Sequence, residues 1–383
     1  MAETYRVPVN WDVVKWAIEN GEKSYTELKN KFRLDSWMSP KSDRDYPTFK
    51  QLQEFSKDTR TPFSYLFKDK VPVEEHEFVK YRTIDNSSVK PSRKLIDTIY
   101  AMQIRQTWMK DYLQSETLTA SFKYLHFIKL GTDPEEVADK ITKILGLPEG
   151  KKRYSLDSGR YFNLLRNSIS KLDIMVMQNG IVGLNTHRVL EVEEFRAFAL
   201  IDDTVPLIFL NGADSKTAKI FSLIHELVHV LLGENEVLNV GLDVDIAQER
   251  WINSVTANIL LPRKEFLASL NDEESAEDNL VGLSRKFNTS LLATAIRARE
   301  LHIYGDSLIG WAKELQENNM VIKNKPKRGN FYNNVASKVD PYFANAVISE
   351  ESSGRLGLSE AAELIGTSLK TYKLTADKIL GLE

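Results

Sequence analysis

The chain contains no cysteine among its 383 residues. That absence removes disulfides, thiolate metal ligands and cysteine nucleophiles together, and it suits a reducing compartment. Any metal must then be held by His, Asp or Glu. Long apolar runs are missing as well: Leu227–Leu232, for one, is interrupted by His229 and falls far short of a membrane span. The N-terminal residues carry no apolar core of signal-peptide length. These absences predict a soluble cytosolic protein with no membrane partner. Charge of one sign is not in excess either. A formal net charge of -3 gives no global attraction to nucleic acid, so any DNA contact needs a local patch.

What is present is ordinary in bulk. Hydrophobic residues at 42% and charged residues at 27% are close to soluble averages. The length suits two or three domains at roughly 100 to 200 residues each. Residues 10–67 read as short helices with polar starts: Asn10 before Trp11, Ser24 with Glu27 as a capping box, and Pro47 opening the run to Phe55. A linker at Val71–Glu75 follows, then helix-compatible runs at Leu95–Leu113 and Glu135–Leu145, the second ended by Gly146 and Pro148. After residue 170 three β-rich stretches appear, Asp173–Gln178, Glu194–Ile201 and Pro206–Asn211, punctuated by turn signals. From Ser215 the pattern is helical again, at about 217–232, about 244–261 before Pro262, and 281–319. A basic linker is expected at Lys323–Asn330, and two short helices around Gly366.

The reading is therefore an α+β chain, mainly helical. A small sheet of three or more strands packs beside a metal-motif helix, and a separate all-α domain stands at the N-terminus. The domain expectation is a small all-helical domain at 1–70, a helical linker region at 71–150, a domain of strands and helices at 151–320 and a C-terminal helical module at 328–383.

The motif is His225, Glu226 and His229 in an H-E-x-x-H pattern. Two His four apart on a helix lie one turn above the other, so both imidazoles can reach one ion. Glu226, rotated about a quarter turn away, is placed for a general base rather than a ligand. The helix Ile220–Leu232 is otherwise almost wholly apolar, and burying an ionised Glu there costs several kcal/mol unless a cation compensates. A catalytic zinc usually takes three protein ligands. The continuation to a third His fails, because position 232 is Leu and position 235 is Asn. Carboxylate candidates are Glu234, Glu236, Asp243, Asp245 and Glu249. Glu249 is preferred because it falls on the following helix with Asn253 one turn further as an outer partner. Its alternative is an ordinary solvated helix Glu.

These segments resemble the ImmA/IrrE family of zinc metallopeptidases, in the form with an N-terminal Xre-type helix-turn-helix domain. The resemblance is carried by Glu194–Ile201, Pro206–Ser215, Ile220–His229 and Glu249–Pro262, and in the N-terminal part by Trp37, Pro47–Leu52 and Pro62–Phe67. It implies that His225, His229 and Glu249 bind zinc and that Glu226 is the base. It also implies an endopeptidase cutting a partner protein, a repressor or antitoxin-like substrate of the Xre type, in stress, prophage or mobile-element control. Ile252, Thr256 and Asn258 depart from the family's usual small or Cys, Ala and acidic residues, which bears on helix packing. The segment Met38–Tyr46 is longer than the family pattern and poorly suited to a regular recognition helix.

Residues 1–70 hold thirteen Lys or Arg against eleven Asp or Glu, a weak footprint for a DNA binder. Lys31, Arg33, Lys41 and Arg44, with Lys29, are the local cluster that could meet phosphates. The C-terminal helix pair is a second helix-turn-helix candidate, or a packing module. For the oxyanion of a peptidase, Arg196, His187, Tyr304 and His302 are the available donors. Arg196 equally suits a structural ion pair. Two rival classes stay open: a regulator that keeps the fold with little turnover, and a zinc hydrolase acting on something other than protein.

Overall fold

The computed structural model describes residues 5–72, 91–116, 121–148, 150–233, 242–321 and 331–382. The expected linkers at 73–75 and 323–330, and the candidate ligands Glu234 and Glu236, lie outside the described residues. So do the side chains of Asp243 and Asp245. The chain divides into two compact units: one holds residues up to 72 with the start of a long helix as far as Asp97, the other runs from Thr98 onward.

The first unit is all helical. It comprises α1 (Trp11–Glu19), α2 (Tyr25–Lys31), α3 (Leu34–Met38), α4 (Phe49–Thr59) and a 3-10 turn at Phe63–Phe67. Caps set the starts: Asn10 accepts from the Asp12 N–H, and Ser24 and Thr48 form capping boxes with Glu27 and Gln51. Val14, Leu28, Trp37, Leu52, Phe55 and Leu66 fill the interior. The helix following α2 is only five residues long. The segment after it makes a short 3-10 turn at Asp43–Asp45 instead of a longer recognition helix.

The long helix α5 (Arg93–Ser115) begins in the first unit and continues into the second. There it is followed by α6 (Pro134–Ile144), the single turn α7 (Lys151–Tyr154) and α8 (Ser158–Ser170). Three strands come next, β1 (Met175–Asn179), β2 (Ala197–Leu200) and β3 (Leu207–Asn211), in the order β1-β3-β2. β1 runs parallel to β3, and β2 antiparallel to it. Every residue of β3 is buried, as expected of a central strand covered on both faces. The second strand begins at Ala197 rather than Glu194, because Arg196 and the preceding turn serve the sheet end instead.

From Ser215, whose side chain accepts from the Ala218 N–H, the chain enters α9 (Lys216–Leu232), which ends where Gly233 takes φ 69°. α9 lies on β2 and β3 and between α8 and α10 (Leu242–Leu260). Pro262 then opens α11 (Arg263–Leu267). The predicted helical stretch 281–319 is three helices, α12 (Ala276–Phe287), α13 (Leu291–Glu300) and α14 (Ser307–Val321). Asn288 at φ 55° and His302 at φ 59° mark the breaks. The chain closes with α15 (Phe331–Ala336), α16 (Pro341–Ser352), α17 (Leu358–Ile365) and α18 (Tyr372–Leu380).

Two tertiary ties position the sheet. The segment 337–340 lines the outer edge of β1: the Gln178 N–H donates to the Lys338 carbonyl at 2.9 Å, and buried Arg166 of α8 donates to the carbonyls of Ser337, Val339 and Val176. Asp340 accepts from the Val176 N–H while capping α16. This covers an edge that would otherwise offer unpaired backbone groups. At the other end, α5 pins the β2–β3 turn. Gln106 Nε2 donates to the Leu200 and Val205 carbonyls, and Lys110 pairs with Asp202 at 2.7 Å.

Candidate metal centre

α9 has almost no solvent face. Of its residues Ile220 to Leu232 only Phe221 and His229 are more than marginally exposed, and the buried set includes Ser222, His225 and Glu226 among aliphatic side chains. Burying those polar groups needs a compensating partner. α10 supplies one. It packs on α9 and on α6, with Ile252, Val255 and Ile259 sharing one buried core with Val137, Ala138 and Ile141, and the Trp251 indole donates to the Thr132 carbonyl at 2.7 Å, fixing the helix about its axis. That rotation turns Glu249 toward α9.

The result is a triangle. His225 Nε2 and His229 Nε2 are 3.2 Å apart, and each is close to one Glu249 oxygen, at 3.3 Å and 3.2 Å. Among the described residues this is the one His, Asp or Glu group able to hold a metal ion. No assignment of protons satisfies all three edges. If both Nε2 atoms carry hydrogen to donate to the carboxylate, they face each other without an acceptor. If one is bare, its lone pair faces the carboxylate oxygen. A cation at the centre satisfies three lone pairs at once. Zinc bonds of about 2.0–2.1 Å give tetrahedral edges of roughly 3.3–3.4 Å, so the observed separations fit such an ion. Burial alone would raise the Glu249 carboxyl, but hydrogen bonds and charge from His225 and His229 outweigh it and hold the group well below the usual carboxylate range.

Glu226, next to His225, is 3% exposed, and the Phe221 ring lies along the His225 ring with centroids 6.3 Å apart. The far end of α9 is held by residues outside the motif. His126 Nδ1 meets the Leu232 carbonyl at 2.8 Å, and Gly233 lets the chain pass so close that a Cβ there would lie 2.8 Å from the same nitrogen.

The other sequence candidates fall elsewhere. Asn253, half-buried one turn beyond Glu249, makes no side-chain hydrogen bond among the described residues. Arg196 is committed to Asp214 at 2.9 Å, just before the start of α9, as a structural ion pair. Tyr304 lies near Asp272 and Glu277, and burial raises its hydroxyl. His187 and His302 are exposed. In the first unit Lys31 is paired with Asp58 at 2.8 Å and Lys29 with Asp35 at 3.0 Å, while Arg33, Lys41 and Arg44 are exposed. Sequence reading missed Asp214, Trp251 and His126, whose partners lie 18, 119 and 106 positions away and leave no local periodic signal. The hydroxyls of Ser222 on α9 and Thr256 on α10 are buried with no hydrogen-bond partner among the described residues.

The sheet, the H-E-x-x-H helix and the carboxylate helix lie within one continuous segment. Residues 171–299 match the M78 peptidase family, described as the IrrE N-terminal-like domain. This IrrE-like segment contains all three strands, both His, Glu226 and Glu249. It supports a peptidase role for the second unit, and residues outside 171–299 lie beyond the match. No curated protein matches the chain.

Proposed function

We propose that the chain is a zinc-dependent endopeptidase that cleaves a partner protein, a helix-turn-helix repressor or antitoxin-like substrate, in transcriptional control. The observation that carries the reading is the His225, His229 and Glu249 triangle, with Glu226 on the same helix inside an IrrE-like segment. The three donors suit zinc in number, type and spacing. A zinc ion held there supplies Lewis acidity toward water and toward the scissile carbonyl.

The chain's own residues do the rest. Glu226 takes a proton from the attacking water and returns it to the leaving amine, so one carboxylate serves as base and then as acid. Apolar neighbours of α9 keep that carboxylate away from bulk water. Arg196 is not the oxyanion donor in this reading, because Asp214 holds it.

The test incubates the zinc-loaded full chain with candidate helix-turn-helix proteins, including any encoded beside its gene, followed by mass spectrometry of fragments. Wild type should yield discrete fragments that Glu226→Gln does not. The same fragments from both proteins, or none from wild type with metal bound, would overturn the reading.

A further inference from the structure

The first unit carries an aromatic cluster at the margin of its core. Phe49 at the start of α4 and Phe63 and Phe67 of the 3-10 turn touch one another, with ring centroids 5.0 Å, 4.9 Å and 6.3 Å apart. Phe63 is anchored against the core, yet Phe49 remains 45% and Phe67 43% exposed. Single exposed apolar residues are ordinary, whereas a contiguous group of large ones on a small unit marks a binding surface.

The surroundings limit the occupant. Among the residues that directly follow Phe49 and Phe67, exposed Lys50, Lys68 and Lys70 outnumber Asp69; the Lys68 ammonium sits 4.4 Å over the neighbouring Tyr65 ring. The rim is therefore basic, although the unit as a whole is nearly neutral. A single-stranded nucleic acid would need open ring faces on which successive bases stack. Here the rings stand at 83°, 86° and 40° to one another, so they offer no parallel set of faces and form an apolar knob instead. Of the cations the sequence offers for phosphates, Lys29 and Lys31 are already paired with Asp35 and Asp58.

We infer that Phe49, Phe63 and Phe67 form a docking site for a protein segment with an apolar centre and acidic flanks. Apolar side chains of that segment cover Phe49 and Phe67, and its carboxylates meet Lys50, Lys68 and Lys70. The inference draws on the proposed function only in taking a protein as the target, and it holds whether or not that protein is cut.

The experiment selects 15-residue peptides from a random display library on the full chain, with counter-selection on Phe49→Ser/Phe67→Ser. Thermal melting of the variant establishes that it is folded; if it is not, Phe67→Ser alone takes its place. The selected peptides should share an apolar core with Asp or Glu flanks. Their affinity should fall at least about tenfold in the variant and weaken as salt rises. Failure to enrich, basic flanks, or equal binding to the variant would overturn the inference. So would loss of oligo(dT) binding, or of self-association, in the variant with no peptide selected. Because binding is read without cleavage, failure here leaves the zinc site untouched, and failure of the zinc site leaves this surface standing.

Discussion

His225 Nε2 stands 3.2 Å from His229 Nε2, one turn apart on a helix whose other inward side chains are nearly all aliphatic. Two imidazole nitrogens that close, with a carboxylate bridging them, make sense as ligands and poorly as hydrogen-bonding partners. From that relationship the following outcomes are expected.

Glu226→Gln should leave zinc content unchanged while lowering the cleavage rate by about 10²–10⁴-fold, the usual contribution of a general base. Metal analysis beside a fragment assay separates the two effects. A variant that lost zinc together with activity would make Glu226 a ligand.

Glu249→Ala and Arg196→Met should behave differently. The first should weaken zinc binding by more than about 100-fold, beyond the loss of an outer partner. The second should leave zinc affinity alone and lower stability, because buried Asp214 loses its cation. Chelator competition and denaturant midpoints read these quantities, and the reverse pattern would move the third ligand.

The ion pair of Lys110 with Asp202 sets a pH window. Burial would raise the Asp202 carboxyl, but the Lys110 hydrogen bond and the Val205 and Thr204 N–H groups lower it overall; the same bond raises Lys110. The depressed carboxyl therefore contributes stability above an unfolded value of about 3.9, lost as pH falls through the folded value. The raised ammonium contributes below about 10.4, and that is lost as pH rises through its folded value. Lys110→Met should lower the melting temperature most near neutral pH, and its deficit should shrink on acidification below about pH 4. A deficit independent of pH would assign the loss to packing.

Arg166→Met should destabilise the second unit by about 3 kcal/mol, since a buried guanidinium bonds three carbonyls from β1 and the C-terminal segment. Urea midpoints measure it. An unchanged midpoint would show that the β1 edge is held without this clamp.

Much of this was legible in the sequence because its signals are local. Ser215 and Gly233 bracket α9, Pro262 follows α10, and the four-residue His spacing fixes a common face. Glu249 could be singled out because α10 is one regular helix in which a carboxylate and Asn253 share a side. Tertiary commitments were not legible. Arg196 looks the same in sequence whether it faces a substrate or Asp214. The clamp from Arg166 to 337–340 crosses about 170 positions. The Phe49, Phe63 and Phe67 cluster likewise arises only once the 3-10 turn folds back on α4. Sequence showed 281–319 as helical but not its two breaks, where Asn288 and His302 adopt left-handed conformations that no periodicity reports.

The most direct measurement is zinc stoichiometry on the purified full chain, with X-ray absorption at the zinc edge. One zinc per chain, with light-atom ligands at about 2.0–2.1 Å that include two imidazoles, and its loss in His229→Ala, is the expected result. A chain that takes up no zinc under saturating conditions, or that binds it equally well without His229, would contradict the His225, His229 and Glu249 site.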